Sequence, residues 1–137
     1  MIGENITLGT NYYPSISFKT IYKKDYDKSS VMCSKLISNK EDLGELVVKI
    51  IPEENTLFIE EVFVKRNHRG KGLGKRLVAF AEEIGCRKRL SNIHLNPYSI
   101  DPYWISNTDL VNWYKKQGYV WNKGIMIKDT QDKDCYA

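Results

Sequence analysis

The chain has 137 residues, of which 42% are hydrophobic and 28% charged, and its formal net charge is +4. That make-up fits one soluble globular domain, large enough to hold a core without staples. It excludes a collagenous or low-complexity chain, and so mild a positive balance gives no reason to expect nucleic acid as a partner. No apolar run approaches the length of a membrane span, and the N-terminal MIGENITLGTNYYP lacks the apolar centre of a secretion signal. The three cysteines, Cys33, Cys86 and Cys135, lie far apart with no C-x-x-C pair, so neither a zinc site nor a disulfide framework is expected. A reducing compartment, and with it a cytoplasmic location, is the expectation.

Residues 16–23 (ISFKTIYK) alternate apolar and polar, the pattern of a half-buried strand. YKKDYDKSS then reads as a solvated turn and VMCSKLIS as a second strand. NKEDLG reads as a turn ending in glycine, before a β-branched third strand, ELVVKII. PEEN is a tight connection, and TLFIEEVFV is a fourth strand with two glutamates in an apolar run. Strands so close together predict an antiparallel meander. Leu73, Leu77, Phe80, Ala81 and Ile84 then recur at three- and four-residue spacing, one face of an amphipathic helix that runs to about GCRKR. NIHL is a short strand and NPYSIDPYWIS a loop. NTDLVNWYKKQ is a second helix, with Asn107 as its N-cap and Gly118 past its last turn. YVWNKGIMIK closes the fold as a strand or hairpin, and residues 129–137 read as a mobile polar tail. The order predicts a single α/β (α+β) domain over 1–137. Its sheet is mixed, with the fourth and fifth strands parallel across a right-handed crossover.

The junction VKRNHRGKGLGKRLVAF sets Gly70, Gly72 and Gly74 at alternate positions among Lys and Arg, just ahead of the helix. A strand, a glycine turn and a helix start make a ready anion site. Glycine lets the backbone approach, the first helical N–H groups point outward, and the helix dipole adds to the attraction. Lys71, Lys75 and Arg76 supply charge beside it. The same spacing also suits a sharp turn with solvated lysines, so both readings stay open. A P-loop is excluded, because Arg69 stands at the upstream glycine position and Arg76 follows where Ser or Thr should. The dinucleotide fingerprint G-x-G-x-x-G is also missed, since these glycines run G-x-G-x-G.

Arg69-x-x-Gly72-x-Gly74 resembles the R/Q-x-x-G-x-G/A signature of the GNAT superfamily of N-acetyltransferases. NTDLVNWYKKQGYV is similar to that family's N-x-x-A-x-x-F-Y-x-x-x-G-F segment. It matches at Asn107, Tyr114 and Gly118, with Leu110 in place of the small residue. The likeness covers about residues 44 to 128. It implies a GNAT-like mixed sheet and a cofactor, acetyl-CoA or another acyl-CoA. It implies that the backbone N–H groups of Arg69, Gly70, Lys71, Gly72, Leu73, Gly74 and Lys75 hold the pyrophosphate. By the same likeness, Val62, Phe63 and Val64 pair with the pantetheine arm where the fourth and fifth strands splay. Asn107 matches a cofactor-contacting position and equally suits a plain helix cap.

Acetyl transfer to an amine needs a base for the arriving ammonium and an acid for the departing thiolate. The resemblance makes Tyr114 that acid, although a tyrosine beside Trp113 on an amphipathic helix is also an ordinary core residue. IEEVFV is similar to the corresponding strand of diamine acetyltransferases, which implies Glu60 as the base and Glu61 as the substrate contact. In a regular strand the two face opposite ways, and a bulge would re-aim both. His68 and His94 have no nucleophile at readable spacing, and no metal site is read. Two features depart from the family. Only KKDYDKSS stands where two helices commonly wall the acceptor site, so that side is open or is completed by another chain, as in a homodimer. The loop NPYSIDPYWIS is longer than usual, and two readings of its Tyr98, Asp101, Tyr103 and Trp104 stay open, an acceptor wall or an exposed loop whose aromatics pack on the domain.

The implied function is transfer of acetyl from acetyl-CoA to a primary amine, on a small molecule or a protein, by direct attack in a ternary complex. Polyamine, amino sugar, amino acid and protein N-terminus all stay open as acceptors. A non-catalytic acyl-CoA-binding or protein-interaction module on the same fold is the alternative.

Overall fold

The computed structural model describes residues 13, 15–99 and 101–130. β1 (Ser17–Asp25), β2 (Ser30–Ser38), β3 (Glu41–Ile51) and β4 (Thr56–Val64) form the antiparallel meander. α1 (Leu73–Arg87) crosses to β5 (Asn92–Leu95), which lies parallel to β4. α2 (Asn107–Lys116) leads to the hairpin of β6 (Val120–Asn122) and β7 (Ile125–Asp129), and β7 pairs antiparallel with β5. The sheet order is β1-β2-β3-β4-β5-β7-β6. β1 turns directly into β2, with Tyr26 N donating to Ser29 O at 2.7 Å and no helix between them.

Three local expectations are corrected. NKEDLG is not a turn. Asn39 and Lys40 alone make it, both with left-handed φ of 50° and 67°, a two-residue connection whose twist matches its strands. Glu41 to Gly44 belong to β3, and Gly44 is glycine for a different reason than turning. A Cβ there would stand 2.3 Å from Phe63 O, so its absence lets β3 and β4 close up. Second, Ser106 rather than Asn107 caps α2, its Oγ accepting from Asp109 N at 3.1 Å. Third, Cys86 is disulfide-bonded while the buried Cys33 is free, so the argument from unpaired cysteines to a reducing compartment lapses. At the C-terminal end, Asp129 pairs with Asn92 in the sheet, and Thr130 N donates to Ser91 O at 2.8 Å. The rest of the expected tail lies outside the described residues. Among those residues no helix is long and apolar enough to cross a membrane.

Alternation along β3 and β4 sends Leu46, Val48, Ile50, Leu57 and Ile59 to one face. There they meet Leu77, Val78, Ala81 and Ile84 of α1, with Phe80 stacked on Phe18 at 3.9 Å. Each fully buried aliphatic side chain contributes about 1.5–3 kcal/mol. Glu82 is buried on the same helix because it is satisfied, by Tyr119 Oη at 2.8 Å and Lys128 Nζ at 3.1 Å. Lys128 Nζ also donates to Gln117 O at 2.7 Å, which ties β7 to the end of α2. α2 therefore stands on the same side as α1. The other face of β1 to β4, with Val47, Glu45 and Glu61 half-buried on it, carries no helix among the described residues.

Candidate active site

β5 pairs with β4 only from Thr56 to Ile59. From Glu60 to Val64, β4 continues with β3 alone at its side. Lys65 N donates back to Leu43 O at 2.9 Å, so Lys65 faces β3. Backbone groups alternate along a strand, which turns those of Val62 and Val64 to the edge that β5 has left. A cleft of about 570 Å³ opens along that edge. It brings together residues 59–64 of β4, the glycine turn, the loop after β5 and the inner side of α2.

At one end lies the turn. Gly70 and Gly72 have φ of 77° and 83°, a conformation strained for any side chain. The first bond of the α1 ladder runs from Arg76 N to Gly72 O at 3.2 Å. The N–H groups of Leu73, Gly74 and Lys75 therefore precede the ladder, at the positive end of the helix dipole. Gly70, Gly72, Leu73, Gly74 and the exposed Lys75 line the cleft, whereas Lys71 does not. Arg69 fixes the turn. Its Nε donates to Val64 O at 2.9 Å, its Nη1 to Asp101 Oδ2 at 2.6 Å, and its guanidinium lies between the rings of Phe63 and Trp104. Arg69 N is used within the turn, donating to Arg66 O at 3.4 Å.

At the other end lie the carboxylates. The β3–β4 register shifts between Val47 and Val48, which oppose Glu61 and Ile59, so Glu60 is the extra residue of a bulge. The bulge puts both glutamates at the cleft, Glu60 exposed and Glu61 half-buried. Burial first, then the charge of and a hydrogen bond with Glu45, push the Glu61 carboxyl above the usual carboxylate range. Tyr114 also lines the cleft, 5% exposed and in edge contact with Trp113 and Tyr119. Burial holds its phenol well above the usual value. Its hydroxyl has no hydrogen-bond partner among the described residues. Buried hydroxyls ordinarily have a hydrogen-bond partner in protein, water or ligand, and this one faces the cleft.

Other residues fall elsewhere. Asn107 does not line this cleft; its Oδ1 takes Ser99 N at 2.7 Å, and it borders a smaller hollow with Tyr98 and Trp121. His68 is buried between Tyr13 Oη and Glu41 Oε2, both at 2.8 Å, and braces the turn. Burial lowers His94 on β5. Of the long loop's residues, Tyr98, Asp101 and Trp104 line the cleft. Asp101 and Trp104 fold back on the glycine turn, where Asp101 takes Arg69 and Arg66, and Tyr103 is fully exposed away from the cleft. The Arg69 hydrogen bond holds the Asp101 carboxyl below its usual range, which makes it a poor base. Sequence reasoning missed two partners: Glu45 beside Glu61, and Asp101 on Arg69. Both contacts join residues distant in the chain, and spacing gives no sign of them.

A sequence profile described as the acetyltransferase (GNAT) domain matches residues 33–121. The chain belongs to the GNAT acetyltransferase family. Solved structures share its fold. The PaiA N-acetyltransferase of Thermoplasma acidophilum, solved with coenzyme A, is 20% identical over 72% of this chain, with a TM-score of 0.57. An aminoglycoside 6'-N-acetyltransferase, also solved with coenzyme A, is 14% identical over 76%, with a TM-score of 0.61. A GNAT-family acetyltransferase of Staphylococcus aureus is 15% identical over 74%, with a TM-score of 0.57. The present chain spans 60%, 75% and 68% of those chains respectively. No curated protein sequence matches it. Both GNAT motifs lie at the cleft in this chain, the glycine turn at one end and α2 along its side.

Proposed function

We propose that this GNAT domain transfers the acetyl group of acetyl-CoA to a primary amine by direct attack in a ternary complex. The observation that carries the reading is the Tyr114 hydroxyl, buried with no hydrogen-bond partner among the described residues, in a cleft that has a glycine turn at one end and two carboxylates at the other. The residues fit the cofactor. Outward N–H groups of Leu73, Gly74 and Lys75 suit its pyrophosphate, and the open backbone of Val62 with the N–H of Val64 suits its amide-bearing arm. When bound, acetyl-CoA supplies an activated acyl carbon and a thiolate leaving group.

The chain's residues then manage protons. Glu61, rather than Glu60, is the better base, because its half-buried carboxyl titrates nearer neutrality. It takes one proton from the acceptor ammonium and frees the nitrogen lone pair. Glu60, exposed at the bulge, offers charge to a cationic acceptor. Burial keeps the Tyr114 phenol protonated, so it can donate to the sulfur. The proton that it gives is replaced by the second one that nitrogen loses on acylation, so no phenolate is left behind. The overall balance is ammonium plus thioester to amide, thiol and one proton.

The test is thiol release from acetyl-CoA with a panel of cationic, neutral and acidic amines. Cationic primary amines are expected to accelerate release most. No affinity for coenzyme A would overturn the reading. Affinity without turnover on any amine would favour a binding module on the same fold.

A further inference from the structure

Glu45 does not line the cleft, yet it reaches the chemistry through Glu61. On β3 it stands opposite Phe63, while Glu61 stands opposite Val47, so the two glutamates are diagonal neighbours on the helix-free face. Diagonal neighbours lie within reach of long side chains. After burial, the Glu45 carboxyl raises that of Glu61 above the usual carboxylate range. Two carboxyls within reach of each other favour holding one proton between them, because their charges otherwise repel. Across the next strand pair, Lys35 stands opposite Glu45. Lys35 Nζ lies 2.9 Å from Glu45 Oε1 and 3.0 Å from Asp42 Oδ2. Burial first, then the Glu45 carboxylate, push the Cys33 thiol up. The groups that face Glu61 are therefore Glu45 from β3 and Lys35 from β2, with Cys33 beside them. A cation against Glu45 favours charge there and leaves the shared proton on Glu61.

We propose that Glu45, anchored by Lys35, is a positioning residue for the transfer reaction: it shares a proton with Glu61, holds that carboxyl at the cleft and governs when it is free to take the acceptor's proton. The proposal rests on the acetyl-transfer reading. As pH rises the shared proton leaves to water, and the ionised Glu61 then accepts one from the ammonium and later returns it to solvent. Activity is therefore lost as pH falls through the titration of the pair, above the ordinary carboxylate range. Glu45 and Lys35 bias that titration in opposite senses. Glu45 adds a like charge that keeps the proton on Glu61, and Lys35 adds a positive charge that helps remove it.

The experiment measures kcat/KM for the best amine across the acid and neutral range in the parent, Glu45→Gln and Lys35→Met. Glu45→Gln is nearly isosteric and leaves Lys35 its ion pair with Asp42, so the fold is expected to hold. Its acidic limb is expected to move down by about one pH unit, and that of Lys35→Met up by a similar amount. In parallel, isotope-labelled glutamate carboxyls are titrated by NMR, with the Glu61 signal assigned by its loss in Glu61→Gln. This reads Glu61 with or without turnover. A limb and a Glu61 signal that stay in place in both variants overturn the proposal, as does a uniform loss of rate at every pH, which marks a merely structural role. A moved signal with an unmoved limb also overturns it. A parent that acylates no amine overturns the transfer reading instead, and the NMR titration then still decides whether Glu45 controls Glu61.

Discussion

Tyr114 has the burial of a core residue and the position of a reacting one. The two roles separate on removal of a single atom. Tyr114→Phe keeps the ring contacts with Trp113 and Tyr119 and deletes a hydroxyl that has no partner among the described residues. Deleting an unsatisfied buried hydroxyl costs little, so Tm is expected to hold or rise slightly. Turnover is expected to fall by about 10² or more if the phenol protonates the leaving sulfur. Steady-state kinetics beside a thermal melt gives both numbers. Equal turnover in variant and parent would return Tyr114 to the core. The tyrosine was legible in the sequence because its motif is local. The different settings of Glu60 and Glu61 were not, because they depend on which one the bulge leaves beside Glu45. Ser106 and Asn107 are both competent caps, and only the bond to Asp109 N tells them apart.

Among the elements, strands and helices were readable from alternation and from three- and four-residue spacing, since both patterns report burial directly. The turn before β3 was misread because Gly44 looks like a turn residue. Its actual cause, the approach of Phe63 O, lies on the neighbouring strand. The glycine turn ahead of α1 was read correctly as a junction, and its anion role is testable at Gly72. Gly72→Asp places a carboxylate at a residue with φ of 83°. Part of the effect is backbone strain, of order 1–2 kcal/mol for a left-handed residue. Gly72→Ala carries the same strain without the charge and serves as the control. Coenzyme A affinity in folded Gly72→Asp is expected to fall at least tenfold below that of Gly72→Ala, about 1.4 kcal/mol. Calorimetric titration of both variants reads it. Equal affinities would mean that the turn is only a turn.

For the molecule as a whole, one side chain joins three parts. Arg69 holds the end of β4 through Val64 O, the long loop through Asp101, and the turn on which it sits. The sequence left the loop open either to wall the acceptor or to pack on the domain, and its Asp101 and Trp104 lie against the glycine turn. Charge decided this, since Asp101 meets both Arg69 and Arg66. Asp101→Asn removes that charge and keeps the size. The loop over 96–106 is expected to loosen, which limited proteolysis would show as faster cutting there. Tm should change little, because the aliphatic core between α1 and the sheet is untouched. Identical cutting in variant and parent would show that Trp104 and the backbone hold the loop without the ion pair.

The early end of β5 has a consequence for the energetics of binding. The gap beside β4 exists because a four-residue strand stops, not because two bodies swing apart. Its β4 side is backbone set by the β3–β4 ladder, so the shape of that side is fixed by folding itself. A molecule that lies along β4 has little chain to order on that side. The free energy of its contacts then goes into affinity rather than rearrangement.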